Sequence, residues 1–116
     1  MKQISISIFC IILLVSCSKK VSEMYNQSPN KQTNITIRAI KEAMGEPWKV
    51  NLKVEVATFK DSIGIEIYNS IINDESVKFN WVSDSECNII FEQTDGVSRQ
   101  FHLIATTFNY SLEEVK

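Results

Sequence analysis

The chain is poor in the residues from which most catalytic and metal sites are built. Its 116 residues include 1 His and 3 Cys. A site made of several imidazoles is therefore excluded, and no Cys-X-X-Cys pair is present to start a zinc site. Glycine and proline are also scarce, at 3 and 2 residues, which excludes a collagenous or low-complexity chain. The glycines stand alone at Gly45, Gly64 and Gly96, so no glycine-rich phosphate loop exists and no cofactor is expected. Basic charge is not in excess, with 12 Lys and Arg against 14 Asp and Glu. That balance excludes a strongly basic nucleic-acid binder. No apolar run reaches the roughly 20 residues that cross a bilayer as a helix.

What is present begins with an address. Lys2 supplies a positive start, and Ile4 to Val15 is apolar apart from Ser5 and Ser7. That length suits the apolar core of a secretory signal peptide. The stretch ends in Leu14-Val15-Ser16-Cys17. This motif resembles the lipobox of bacterial lipoproteins. The resemblance implies cleavage between Ser16 and Cys17, diacylglycerol on the Cys17 sulfur and an acylated new amine. Two or three acyl chains anchor stably where one does not. The expected partner of the N-terminus is thus a membrane. By resemblance to enterobacterial sorting, Ser18 after the lipidated residue favours the outer membrane, facing the periplasm.

With residues 1–16 removed, a body of about 100 residues buries roughly 65% of its unfolded surface, enough for one core. Cys10 leaves with the signal and Cys17 becomes a thioether, so Cys87 is the one remaining thiol. An internal disulfide is then impossible, and the fold must rest on packing. Residues 17–32 are polar, hold Ser28-Pro29 and lack periodicity, which predicts a flexible tether.

The body, residues 33–110, reads as α+β. Ile37, Ile40, Ala43 and Met44 recur at helical spacing, with Gly45 and Pro47 to stop the element. Trp48 to Thr58 then alternates apolar and polar residues, as a half-buried strand does. Ile63, Ile65 and Ile67, then Val77, Phe79 and Trp81, then Cys87, Ile89 and Phe91 continue the alternation. The last strand runs from Ser98 to about Phe108. These features predict one N-terminal helix packed on an antiparallel meander of about five strands. Ser111 and Glu114 resemble a capping box, so residues 111–116 are expected to form a frayed C-terminal turn. No internal repeat is visible.

The final hairpin offers two registers. A two-residue Asp95-Gly96 turn would place Glu92 opposite Arg99, an exposed pair worth about 0–1 kcal/mol. A three-residue Thr94-Asp95-Gly96 loop, with Gly96 left-handed, puts Cys87, Ile89, Phe91, Phe101 and Leu103 on one face. Burial of each large side chain is worth roughly 1.5–3 kcal/mol, so the three-residue loop is predicted.

That register also separates Cys87 from His102, which face opposite sides of the sheet and cannot act together. Glu55, Glu66 and Glu92 point to the wet face and read as solvated rather than catalytic. The outer face carries Tyr68, Val82, Ile90 and Ile104, which would suit a partner protein if they lay side by side. The expected function is a non-enzymatic, lipid-anchored envelope protein that binds another envelope protein, as an assembly accessory or an immunity protein. The run Ala43-Met44-Gly45-Glu46-Pro47 before a meander resembles small outer-membrane-assembly lipoproteins. Those have two helices and three strands, so no residue roles carry over. The competing expectation is a small-ligand carrier or enzyme with a pocket between helix and sheet.

Overall fold

The computed structural model describes residues 19–115. The signal peptide, Ser16 and Cys17 lie outside the described residues. Eight strands follow in order: β1 (Lys20–Gln27), β2 (Asn34–Lys41), β3 (Trp48–Glu55), β4 (Lys60–Ile67), β5 (Val77–Ser83), β6 (Glu86–Phe91), β7 (Arg99–Ala105) and β8 (Tyr110–Val115). They form two four-stranded antiparallel sheets, β1-β2-β3-β4 and β5-β6-β7-β8, each a simple meander.

The structure corrects the α+β expectation: no described residue is helical. The segment expected to be the helix is β2, paired with β1 on one side and β3 on the other. Ile35, Ile37 and Ala39 are fully buried, while Arg38 between them is exposed. The true period is therefore 2. Ile40 falls on the outer face, and Ala43 and Met44 lie in the following loop. Ile35, Thr36, Ile37 and Ile40 are all β-branched, which favours a pleated strand over a helix. Gly45, at φ +84°, sits in the turn between β2 and β3 rather than at the end of a helix.

Two further expectations are corrected. The tether segment contains β1, which pairs with β2 along its whole length. The C-terminal turn is β8, paired with β7 from Tyr110 to Val115. Both are sheet edges. An edge strand buries less of its inner face, so β1 needs only Met24 as an apolar inward residue, flanked by Ser22 and Asn26 in the same phase. Its alternation is correspondingly faint.

The predicted hairpin register holds. Ile89 pairs with Phe101, Cys87 with Leu103 and Phe91 with Arg99. Gly96 adopts φ +82°, and its amide donates to the Gln93 carbonyl at 3.0 Å. Cys87, Ile89, Phe91, Phe101 and Leu103 are buried on one face of this hairpin.

One cluster of buried side chains draws on both sheets, with Ile35, Ile37, Leu52 and Val54 from the first and Ile89, Phe91, Phe101 and Leu103 from the second. Phe91 and Phe101 meet edge to face at 5.8 Å, a favoured aromatic geometry. The second sheet thus supplies the cover that a helix was expected to give.

Side chains close the two seams where the sheets meet. At the β1/β5 seam, Trp81 Nε1 donates to Asn26 Oδ1 at 2.7 Å, and Ser22 Oγ donates to the Ile72 carbonyl. At the β4/β8 seam, Phe59 packs edge to face on Tyr110. Further along, Arg99 makes two parallel bonds to Glu114, at 2.8 and 2.7 Å, and a third to the Glu66 carbonyl. This fork lets β8 carry Glu114 in its inward phase without leaving a charge unpaired.

Candidate functional site

Antiparallel meanders gather alternate connections at each end. One end collects the β1–β2, β3–β4, β5–β6 and β7–β8 turns, and these surround an open cleft of about 740 Å³. Lys31, Thr33, Glu55, Thr58, Asp84, Ser85 and Thr107 are among its lining residues. Most of the lining residues carry hydroxyl, amide or charged side chains, with Val56, Ala57 and Ala105 among them.

The β1–β2 turn is the most specified of the four. Lys31 N donates to the Ser28 carbonyl at 2.8 Å, closing a turn with Pro29 in its second position, where a φ near −65° is preset. Ser28 Oγ is buried, accepts from the Thr33 amide and donates to Asn30 Oδ1. Asn30 Oδ1 in turn accepts from Gln32 N. This network holds Lys31 at φ +63°, the left-handed region. Such a conformation costs a non-glycine residue on the order of 1 kcal/mol, and strain of this kind gathers at functional sites.

The β7–β8 turn adds an apolar feature. Thr106 N donates to the Asn109 carbonyl at 2.8 Å, and Thr106 Oγ1 accepts from Asn109 N. Phe108 stands at the tip, 93% exposed. Ala105 N donates to the Ser85 carbonyl, tying this turn to the β5–β6 turn. The arrangement offers donors and acceptors to a polar surface and one aromatic ring to a partner's apolar recess. Among the described residues, no group of three His, Cys, Asp or Glu is placed to hold a metal ion.

The four outer-face residues singled out from sequence are not gathered into one patch. Tyr68 lies in the connection between the sheets, where its carbonyl accepts from Thr94 N and its amide donates to Gln93 Oε1. Val82 sits at the irregularity in β5 between Trp81 and Ser83. Ile90 stands opposite Gln100 and Ile104 opposite Glu86, with the Asn88–His102 pair between them. His102 Nε2 lies 2.8 Å from Glu86 Oε2 on that same outer face. Cys87 is on the other face, fully buried, and burial pushes its thiol up to about 12. The two residues stay apart, as the register implied.

Sequence reasoning missed the turn end. Ser28-Pro29-Asn30-Lys31 was legible as a turn, but it lay inside the segment read as tether. Phe108 was placed at the end of the last strand.

No family model matches the chain, and no curated protein or solved structure matches it.

Proposed function

We propose that this chain is a lipid-anchored cell-envelope protein, and that its turn end is a non-enzymatic surface for binding another envelope protein. The lipobox-like Leu14-Val15-Ser16-Cys17 supports the anchor. By the same resemblance, the body faces the periplasm from the outer membrane. The observation that carries the binding surface is Phe108, an aromatic ring 93% exposed on a hydrogen-bonded turn beside a polar cleft. Interface hot spots are commonly aromatic anchors ringed by polar contacts. The strained Lys31 on the facing turn adds a positioned positive charge. A carrier with a pocket between helix and sheet loses its premise, because the space over the sheet is filled by the apolar side chains of a second sheet.

Photo-crosslinking groups placed at positions 108 and 31 in living cells test the reading. Both are expected to trap one common protein that a group at position 62, on the outer face of β4, does not trap. Equal trapping from all three positions would remove the turn end as the site. In parallel, Cys17→Ser is expected to abolish fatty-acid labelling and release the chain from the membrane fraction.

A further inference from the structure

We infer that the end of the sandwich opposite the turn cleft rests directly on the lipid surface, with Met44, Tyr68, Ile71 and Val97 in contact with the headgroup layer. The inference rests on the anchoring reading above and adds an orientation to it. The first argument is reach. β1 begins at Lys20, three residues after Cys17. Three residues span at most about 10 Å. The headgroup layer on each side of a bilayer is itself about 5–8 Å thick. A diacylated Cys17 sulfur sits at the inner boundary of that layer, so Lys20 can stand only a few ångströms above the membrane. No tether is left to lift the body away, because the residues once expected to form it are strand.

The second argument is composition. The end that carries Lys20 also holds the β2–β3 loop, the β4–β5 connection and the β6–β7 loop. Hydrogen bonds join them: Ser22 to the Ile72 carbonyl, Trp48 to the Asn69 carbonyl, Asn69 to the Glu92 carbonyl, and Thr94 to the Tyr68 carbonyl. Nine large apolar side chains are exposed in the described residues, and six lie at this end: Val21, Met44, Tyr68, Ile71, Val97 and Val115. Met44 is 89% exposed and Val97 62%, each on a loop. Scattered exposed apolar groups need no explanation, but gathering at the one end that the chain ties to lipid does. A tyrosine among them suits an interface that is apolar on one side and wet on the other.

The third argument is charge. Lys20 and Lys41 are register partners at this end. Like charges directly opposite on neighbouring strands repel, and neither lysine is in an ion pair among the described residues. Lipid phosphates would supply the missing counter-charge while the methylene stems lie against the apolar zone.

The test uses the lipidated chain in phosphatidylcholine vesicles, with a fluorophore on a single introduced cysteine. Cys87 is fully buried and does not compete for the label. Met44→Cys and Val97→Cys report the proposed contact end; Thr58→Cys and Phe108→Cys report the turn end. Strands of 8 residues set the two ends about 25 Å apart. Nitroxide-bearing lipids are expected to quench the first pair several-fold more than the second. Adding Met44→Asp to the Val97→Cys chain is expected to lower that quenching without changing the melt. A chain found by mass to carry lipid on Cys17, but quenched alike at both ends, would overturn this inference and leave the anchor standing. A chain without lipid on Cys17 would overturn the anchoring reading and this inference with it.

Discussion

The third hairpin of each sheet follows the same path, and the two sequences are close: Val56-Ala57-Thr58-Phe59 in the first, Ala105-Thr106-Thr107-Phe108 in the second. In the first, Val56 N donates to the Phe59 carbonyl, so Phe59 is the closing residue of the turn. Its ring folds back onto Tyr110 at 4.9 Å. In the second, closure runs from Thr106 to Asn109, which leaves Phe108 one place earlier, at the tip. A shift of one position converts a phenylalanine that seals the seam into one that faces solvent. Similar local sequence therefore does structural work in one sheet and is free for a partner in the other.

The largest test of that kinship is whether the sheets fold as one body. Leu52→Ala in the first sheet and Phe101→Ala in the second should each cost about 2–5 kcal/mol, because both open cavities in a shared, close-packed core. Chemical denaturation followed by two probes, one per sheet, should give coincident transitions. A variant that melts one sheet alone would show two cores where we describe one.

The seams should differ in strength. Arg99→Ala removes the bond across the seam to the Glu66 carbonyl together with the two-pronged ion pair to Glu114 inside the second sheet, at an expected cost of roughly 1.5–3 kcal/mol. Asn26→Ala at the other seam removes a single neutral bond to Trp81 and should cost about 0.5–1.5 kcal/mol. Denaturant midpoints of the two variants measure the order directly.

Alkaline pH should weaken the whole fold through two groups carried by the second sheet. Burial pushes the Cys87 thiol up to about 12, and burial together with the nearby Asp61 carboxylate pushes the Tyr110 hydroxyl up to about 12. The ordinary values are near 9 and 10. Each group keeps its proton more tightly when folded, so its contribution is complete below the ordinary value and is lost as pH rises toward 12. The melting temperature should fall between pH 9 and 11, and Tyr110→Phe with Cys87→Ala should flatten that fall relative to the parent.

The smallest effects should come from Lys31 and Gly96, two of the three left-handed positions among the described residues, at opposite ends. Gly96→Ala forces a Cβ into φ +82° and should destabilise by about 1 kcal/mol. Lys31→Gly relieves strain and should stabilise by about 0.5 kcal/mol once the added freedom of the unfolded glycine is counted, while weakening partner capture. Loss of stability in Lys31→Gly would mean that the lysine side chain makes a structural contact and the backbone is not strained.

The interior strands were legible one by one. β3, β6 and β7 alternate cleanly because each packs one face on a core and wets the other, and burial of the Ile89–Phe101 row is enough to select the hairpin register from the sequence. The separation of Cys87 from His102 followed from that register. Elsewhere the local signal was misleading or faint. Ile37, Ile40, Ala43 and Met44 fit a helix as well as a strand, and what decided the matter was the pairing of β2 with both β1 and β3, a long-range event with no local mark.

The sequence by itself determined the period-2 faces of β3, β6 and β7 and the site of the Gly96 turn, since each depends on neighbouring residues and their intrinsic conformational limits. Only the tertiary structure decided that the chain divides into two stacked sheets, that β1 and β8 are edge strands, and that Phe108 and the Lys31 turn meet at one end. Edge strands gain their order from a partner's backbone hydrogen bonds rather than from buried side chains, so their hydropathy need not alternate. The gathering of turns at one end follows from how many strands fold back and in what direction, which no single segment encodes.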